Sequence, residues 1–166
     1  MSPLLTGRVH RFGDEVNTDV ILPGRYLSLR RPEELGRHCM EGLDPGFVGR
    51  VQPGDILAVG RNFGCGSSRE HAVIALQAAG IAGIVAVSAA RIFFRNAVNL
   101  GLPVLLCPEA EAALQEGVPA ELDLAQLRIR QGARSWQAQP LGEEVRAILA
   151  AGGLVPRVRQ ALAGQL

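Results

Sequence analysis

The middle third of the chain alternates short apolar runs with glycine-bounded stretches, and this rhythm predicts its elements. Ile56 to Val59, Ile81 to Val87 and Leu102 to Leu106 are apolar runs of strand length, as strands buried on both faces are. Between them, Ser68 to Ala79 and Ala90 to Leu100 are predicted helices, each stopped by a C-terminal glycine, Gly80 or Gly101. Strand, helix, strand, helix, strand predicts parallel pairing with helical crossovers. Ahead of this block, Val9 to Phe12 alternates as a strand, and Asn17-Thr18-Asp19 carries turn or cap chemistry. Pro23-Gly24 breaks the chain, and Pro32 to Glu41 is predicted helical with its proline in the first turn. Behind it, Glu121 to Leu124 and Leu127 to Arg130 alternate as half-buried strands, and Gln131-Gly132 turns toward a strand holding Trp136. Two helices near 143–150 and 155–162 close the chain, split by Gly152-Gly153. The pattern predicts one α/β domain over residues 1–166, a mixed and partly parallel sheet with an added β layer.

Composition sharpens this. With 48% hydrophobic residues but only 4% aromatics, the core must be filled by Val, Ile, Leu and Ala. The net charge of +1, with acids and bases interspersed, lacks the clustered basic footprint of a nucleic-acid surface. The apolar part of the N-terminus is too short for a signal peptide, and no apolar run reaches the ~20 residues that span a bilayer. The expectation is a soluble, cytoplasmic protein that engages neither membrane nor nucleic acid. Cys39, Cys65 and Cys107 are odd in number and form no Cys-x-x-Cys pair, which argues against disulfides and against a zinc or iron–sulfur site on this chain. Cys39 and Cys107 read as small buried hydrophobes, whereas Cys65 sits inside a glycine-rich loop.

That loop is the most informative stretch. Gly60-Arg61-Asn62-Phe63-Gly64-Cys65-Gly66-Ser67-Ser68-Arg69-Glu70-His71 runs from the end of a buried strand to a helix start, where α/β folds bind ligands. Gly64 and Gly66 permit positive φ and close backbone approach. The helix start offers free N–H groups and the positive end of a dipole. Ser67 and Ser68 are expected to cap that helix, and Arg69 supplies a planar fork that matches a carboxylate. The site should bind a small anion. Known nucleotide loops fail: Arg69 stands where a third Rossmann glycine would be, and no Gly-Lys-Ser/Thr is present. A Ser67–His71 nucleophilic pair lacks a clear acidic partner, so His71 reads as a packing or hydrogen-bonding residue. A serine-capped helix with an ordinary surface arginine stays open as the alternative.

Three motifs, in order, resemble the swivelling domain of the aconitase superfamily. They are Gly66-Ser67-Ser68-Arg69-Glu70 in its glycine loop, Phe12-Gly13-Asp14 with Asn17-Thr18-Asp19, Ile21 and Pro23-Gly24-Arg25-Tyr26, and Ala90-Arg91-Ile92-Phe93-Phe94-Arg95-Asn96-Ala97 with Asn99, Gly101 and Pro103. The resemblance covers the chain from about Gly7 to its end, and the length is similar to that of the stand-alone small subunits of isopropylmalate dehydratases and homoaconitases. It implies a β/β/α swivelling domain like the fourth domain of aconitase, active as a hydro-lyase only with a large subunit. That partner would carry the [4Fe–4S] cluster, with no cofactor bound here. It implies Ser67 as the general base, Arg69 as the substrate-carboxylate arginine, and Ser68 and Gly66 as supporting contacts. Arg91 and Arg95 could face the site, although a structural salt bridge is the simpler expectation. Asp14, Asn17 and Asp19 either order the first loop or are turn residues only.

The same resemblance places substrate selection in Leu27, Ser28, Leu29 and Arg30. Leu27 and Leu29 around Ser28 suit an isopropyl group, since each buried methylene contributes about 0.8 kcal/mol. Arg30 could instead serve a distal carboxylate, as in homoaconitate. Outside catalysis, a non-catalytic anion-binding module would keep the Ser67–Arg69 loop without a partner. Without that partner, the chain could self-associate and the segment 26–45 could be mobile.

Overall fold

The computed structural model describes residues 2–164. Along the chain run β1 (Leu4–Phe12), α1 (Thr18–Ile21), a single 3₁₀ turn (Gly24–Tyr26), α2 (Pro32–Gly36), α3 (Phe47–Arg50) and β2 (Ile56–Val59). Then follow α4 (Glu70–Ala79), β3 (Gly83–Ala86), α5 (Arg91–Asn99), β4 (Val104–Leu106), α6 (Pro108–Ala113), β5 (Pro119–Asp123), β6 (Arg128–Gln131), β7 (Arg134–Gln137), α7 (Glu143–Ala151) and α8 (Leu154–Ala163). The strands form one sheet in the order β4-β3-β2-β1-β5-β6-β7. β1 joins its two halves. Leu4 to Arg8 pair antiparallel with β5, and Val9 to Phe12 pair parallel with β2. β2, β3 and β4 continue in parallel, while β5, β6 and β7 form the added antiparallel layer.

The unbroken apolar strands follow from burial on both faces. Leu57, Val59, Ile84 and Ala86 pack into one core with Val73 and Leu76 of α4 and Phe93 of α5. Their alternates Ile56, Ala58, Val85 and Leu105 pack into a second core with Leu122 and Ile129 of the antiparallel layer. A clamp at the start of β2 fixes the β1–β2 register. The buried Asp55 carboxylate shares a 2.7 Å hydrogen bond with His10 Nε2 and accepts from the N–H groups of Arg8 (3.1 Å) and Gln52 (2.9 Å). Desolvation, the largest single influence, raises its pKa, but the opposing hydrogen bonds from His10, Gln52 and Arg8 together hold it below the usual carboxylate value.

Several boundaries differ from the sequence expectation. The helix predicted to reach Glu41 ends at Gly36, because Gly36 lies against α4, where an added Cβ would be 2.9 Å from Ala78 Cβ. The chain then turns so that Met40 N–H reaches the Ile21 carbonyl at 2.7 Å. The helix predicted from Ser68 begins at Glu70, with Arg69 at the N-cap and no side chain capping it. Ser67 and Ser68 therefore do not cap it. The preceding loop is pulled out of helical geometry by hydrogen bonds to the segment after β1. The third predicted strand shortens from seven residues to Gly83–Ala86, its flanks given over to turns.

The two ends of the segment 26–41 are tied to each other. Glu41 accepts from Tyr26 Oη (2.8 Å) and Arg25 Nη2 (3.0 Å) and pairs with His38 Nδ1 (2.7 Å), while the Tyr26 and His38 rings stack at 3.6 Å.

Candidate active site

The glycine loop after β2 is paired, almost residue by residue, with the segment after β1. Gly60 N–H donates to Gly13 O (3.1 Å), Glu15 N–H to Arg61 O (2.8 Å), Gly64 N–H to Val16 O (2.8 Å) and Thr18 N–H to Cys65 O (2.8 Å). Side chains reinforce the pairing. Asp14 accepts from Arg61 N–H at 2.7 Å, and Asn62 Nδ2 donates to Glu15 at 2.9 Å. Asn17 caps α1 by accepting from Val20 N–H at 3.1 Å. Asp14 and Asn17, with Asp19 below, are thus part of the scaffold that orders the loop, not turn residues only. Two glycines are dictated by geometry. Gly64 has φ +77°, and a Cβ there would sit 2.2 Å from Phe93 Cγ. Gly66 has φ +102°, with Thr18 Oγ1 3.3 Å from where its Cβ would be.

This scaffold presents Ser67, Ser68 and Arg69 at the head of α4, with both serines exposed. Ser67 N–H donates to Thr18 Oγ1 at 3.2 Å, and the two hydroxyl oxygens are also 3.2 Å apart. Arg69 forms an ion pair with Asp19, and an added Cβ on Gly24 would lie 3.6 Å from its Nη1. Arg69 therefore spans α1 and the start of the 24–30 loop. Asn96 of α5 donates to the Ser68 carbonyl at 3.2 Å. A small ligand here meets a hydroxyl backed by another hydroxyl, a guanidinium fork and the first turn of α4.

Leu27, Ser28, Leu29 and Arg30 are brought together around one cavity of about 530 Å³, completed by Leu35, Ile74 and His71. His71 is half-buried on the first turn of α4, two residues from Arg69. The sequence marks it only as a packing or hydrogen-bonding residue, and its place in this cavity comes from the fold. Thr18, Asp19 and Asn96 were also missed as neighbours of the loop. Thr18 and Ser67 are 49 residues apart, so no local spacing could reveal the contact.

Arg91 and Arg95 make no ion pair among the described residues, contrary to the expected salt bridge. They line a different cavity, of about 440 Å³, over Phe94, Val98, Val145 and Ile148. The cysteines do not fit an iron–sulfur cluster on this chain. Burial pushes the Cys39 and Cys107 thiols up, and burial with the Glu15 carboxylate does the same to Cys65. Among the described residues no group of three or more His, Cys, Asp or Glu side chains could hold a metal ion.

Comparison with known proteins agrees with the three motifs. The Aconitase C-terminal domain family matches residues 43–109. The 3-isopropylmalate dehydratase small subunit 1 of Methanopyrus kandleri is 49% identical over 162 residues, covering 96% of this chain and 95% of that one. The corresponding small subunit of Moorella thermoacetica is 48% identical over 157 residues, covering 93% and 95%. The crystal structure of 3-isopropylmalate dehydratase from Methanocaldococcus jannaschii superposes with a TM-score of 0.89 at 43% identity, covering 98% of this chain and 97% of that one.

Proposed function

The chain belongs to the family of 3-isopropylmalate dehydratase small subunits, and from that premise we propose that it serves a hydro-lyase that interconverts 2-isopropylmalate and 3-isopropylmalate. The observation that carries this is the loop itself, with the Ser67 hydroxyl held by Thr18 next to a guanidinium fork. Arg69 binds a substrate carboxylate, with Ser68 and Gly66 supplying neighbouring polar contacts. Ser67 takes the proton from the carbon beside that carboxylate, hydroxide leaves the adjacent carbon, and a double bond forms between the two. Water then adds in the opposite sense, and Ser67 returns the proton to the carbon that had carried the hydroxyl. Serine is a weak base unless its charged form is stabilised, which the first turn of α4 and Arg69 favour.

The partner in this reading is a large subunit that holds a [4Fe–4S] cluster, consistent with cysteines here that do not fit one. When bound there, the cluster supplies the Lewis acid for the departing hydroxyl. The exposed Ser67–Ser68 edge supports burial of this face against that partner. Leu27, Leu29, Leu35 and Ile74 suit the cavity to an isopropyl group. Arg30, exposed on the same cavity, favours the second reading, a homoaconitase small subunit accepting a distal carboxylate.

Replacing the base tests the proposal. Ser67→Ala should still assemble with the large subunit, while turnover on 3-isopropylmalate falls by about 10²–10⁴-fold, the usual contribution of a positioned acid or base. Unchanged turnover would remove Ser67 from that role.

A further inference from the structure

We propose that Thr18 is a positioning residue for Ser67, and that its hydroxyl turns to donate a hydrogen bond to Ser67 Oγ as that oxygen becomes charged. This rests on Ser67 being the base. Thr18 is 2% exposed, and among the described residues every hydrogen bond of its hydroxyl is with Ser67. Thr18 Oγ1 accepts from Ser67 N–H at 3.2 Å, lies 3.2 Å from Ser67 Oγ, and is 3.4 Å from the Ser67 carbonyl oxygen. The Thr18 hydroxyl owns one proton and has two places to send it. While Ser67 is neutral, the carbonyl competes for that proton. Once Ser67 is deprotonated its Oγ is only an acceptor, and a charge-assisted bond at the shorter separation outcompetes a long neutral one. The Thr18 contact therefore strengthens specifically in the form of Ser67 that accepts the substrate proton. The Thr18 proton itself is never transferred.

The backbone holds Thr18 in place for this. Its N–H donates to Cys65 O at 2.8 Å, and its carbonyl accepts from Leu22 N–H at 2.9 Å. The Thr18 side chain is itself buried, so its hydroxyl meets Ser67 from the protein side of the loop. Asp19, the next residue, is neutralised by Arg69, which limits its repulsion of a developing negative charge.

The test uses the full chain reconstituted anaerobically with its large subunit, with kcat and KM on 3-isopropylmalate measured across pH. Thr18→Val keeps the shape and loses the hydroxyl. It should lower kcat by about 10²-fold at neutral pH, as loss of one preorganised donor to an oxyanion does, with KM nearly unchanged. Thr18→Ser should restore kcat to near the parent value, and Thr18→Cys, a weaker donor, should fall between. A parental kcat in Thr18→Val, or Thr18→Ser as impaired as Thr18→Val, would overturn the inference. If Thr18→Val does not assemble, parental kcat in Thr18→Cys overturns it equally. Ser67→Ala separates the two levels. An inactive Ser67→Ala beside a parental Thr18→Val refutes only the role of Thr18, whereas an active Ser67→Ala refutes both.

Discussion

At Gly64 two separate constraints meet. Its φ of +77° is one that L side chains rarely adopt, and a Cβ would lie 2.2 Å from Phe93 Cγ, a ring fixed edge-on against Phe63 at 5.1 Å. Gly64→Ala should therefore destabilise the protein by more than the ~1 kcal/mol that positive φ alone costs. It should also displace Ser67, three residues on. Urea unfolding midpoints check the first effect and turnover the second; a parental midpoint would show that the loop adapts. Ser67 and Arg69 were legible in the sequence because their chemistry is local, a short run of Gly, Ser and Arg at a strand–helix junction. Thr18 and Asp19 were not recognisable as their partners, because β1 and β2 must first lie side by side before residues 49 or 50 positions apart can touch.

Among the elements, the β1–β2 pair carries the site, since its parallel register sets the segment after β1 beside the glycine loop. The Asp55 clamp at the other end of this pair makes the register pH-dependent. Because the folded-state pKa of Asp55 is lowered, the unfolded chain binds its proton first as pH falls. This stabilisation is complete above the ordinary aspartate pKa near 4 and is lost as pH falls through that value toward the lowered one. Asp55→Asn should lower stability by about 1–3 kcal/mol at pH 7, because His10 and the Arg8 and Gln52 amides lose a charged acceptor. The variant should also be less sensitive to pH between about 5 and 3 than the parent. Unfolding midpoints at pH 7, 5 and 4 check both effects, and parallel losses in the two proteins would contradict the assignment. The parallel strands and the Gly152-Gly153 split were readable from apolar runs and glycines. The ends of α2 and α4 were not, because tertiary contacts fix them: α2 stops where it meets Ala78, and α4 starts late because the residues before it are bound to the 16–18 segment.

On the scale of the whole molecule, β1 divides labour within one sheet. Its parallel half leads into the segment that pairs with the glycine loop, while its antiparallel half builds the layer that covers the opposite face. The alternating C-terminal strands announced that layer in the sequence, but that β1 serves both halves did not follow from any local pattern. At the surface, α8 presents exposed Val155, Val158 and Leu162 along one side, an apolar stripe through which the isolated chain could self-associate.

In the proposed reading, the selectivity of the assembled enzyme comes from the cavity that Leu27, Leu29, Leu35 and Ile74 line. An isopropyl group buries well there, whereas a distal carboxylate left unpaired among those side chains is costly. Anaerobic turnover of the chain with its large subunit, on 3-isopropylmalate and homocitrate side by side and followed by enoic-acid absorbance, tests this account most directly. The account predicts kcat/KM at least about 10²-fold higher for 3-isopropylmalate. A preference for homocitrate would contradict it and would make Arg30 the reader of a distal carboxylate.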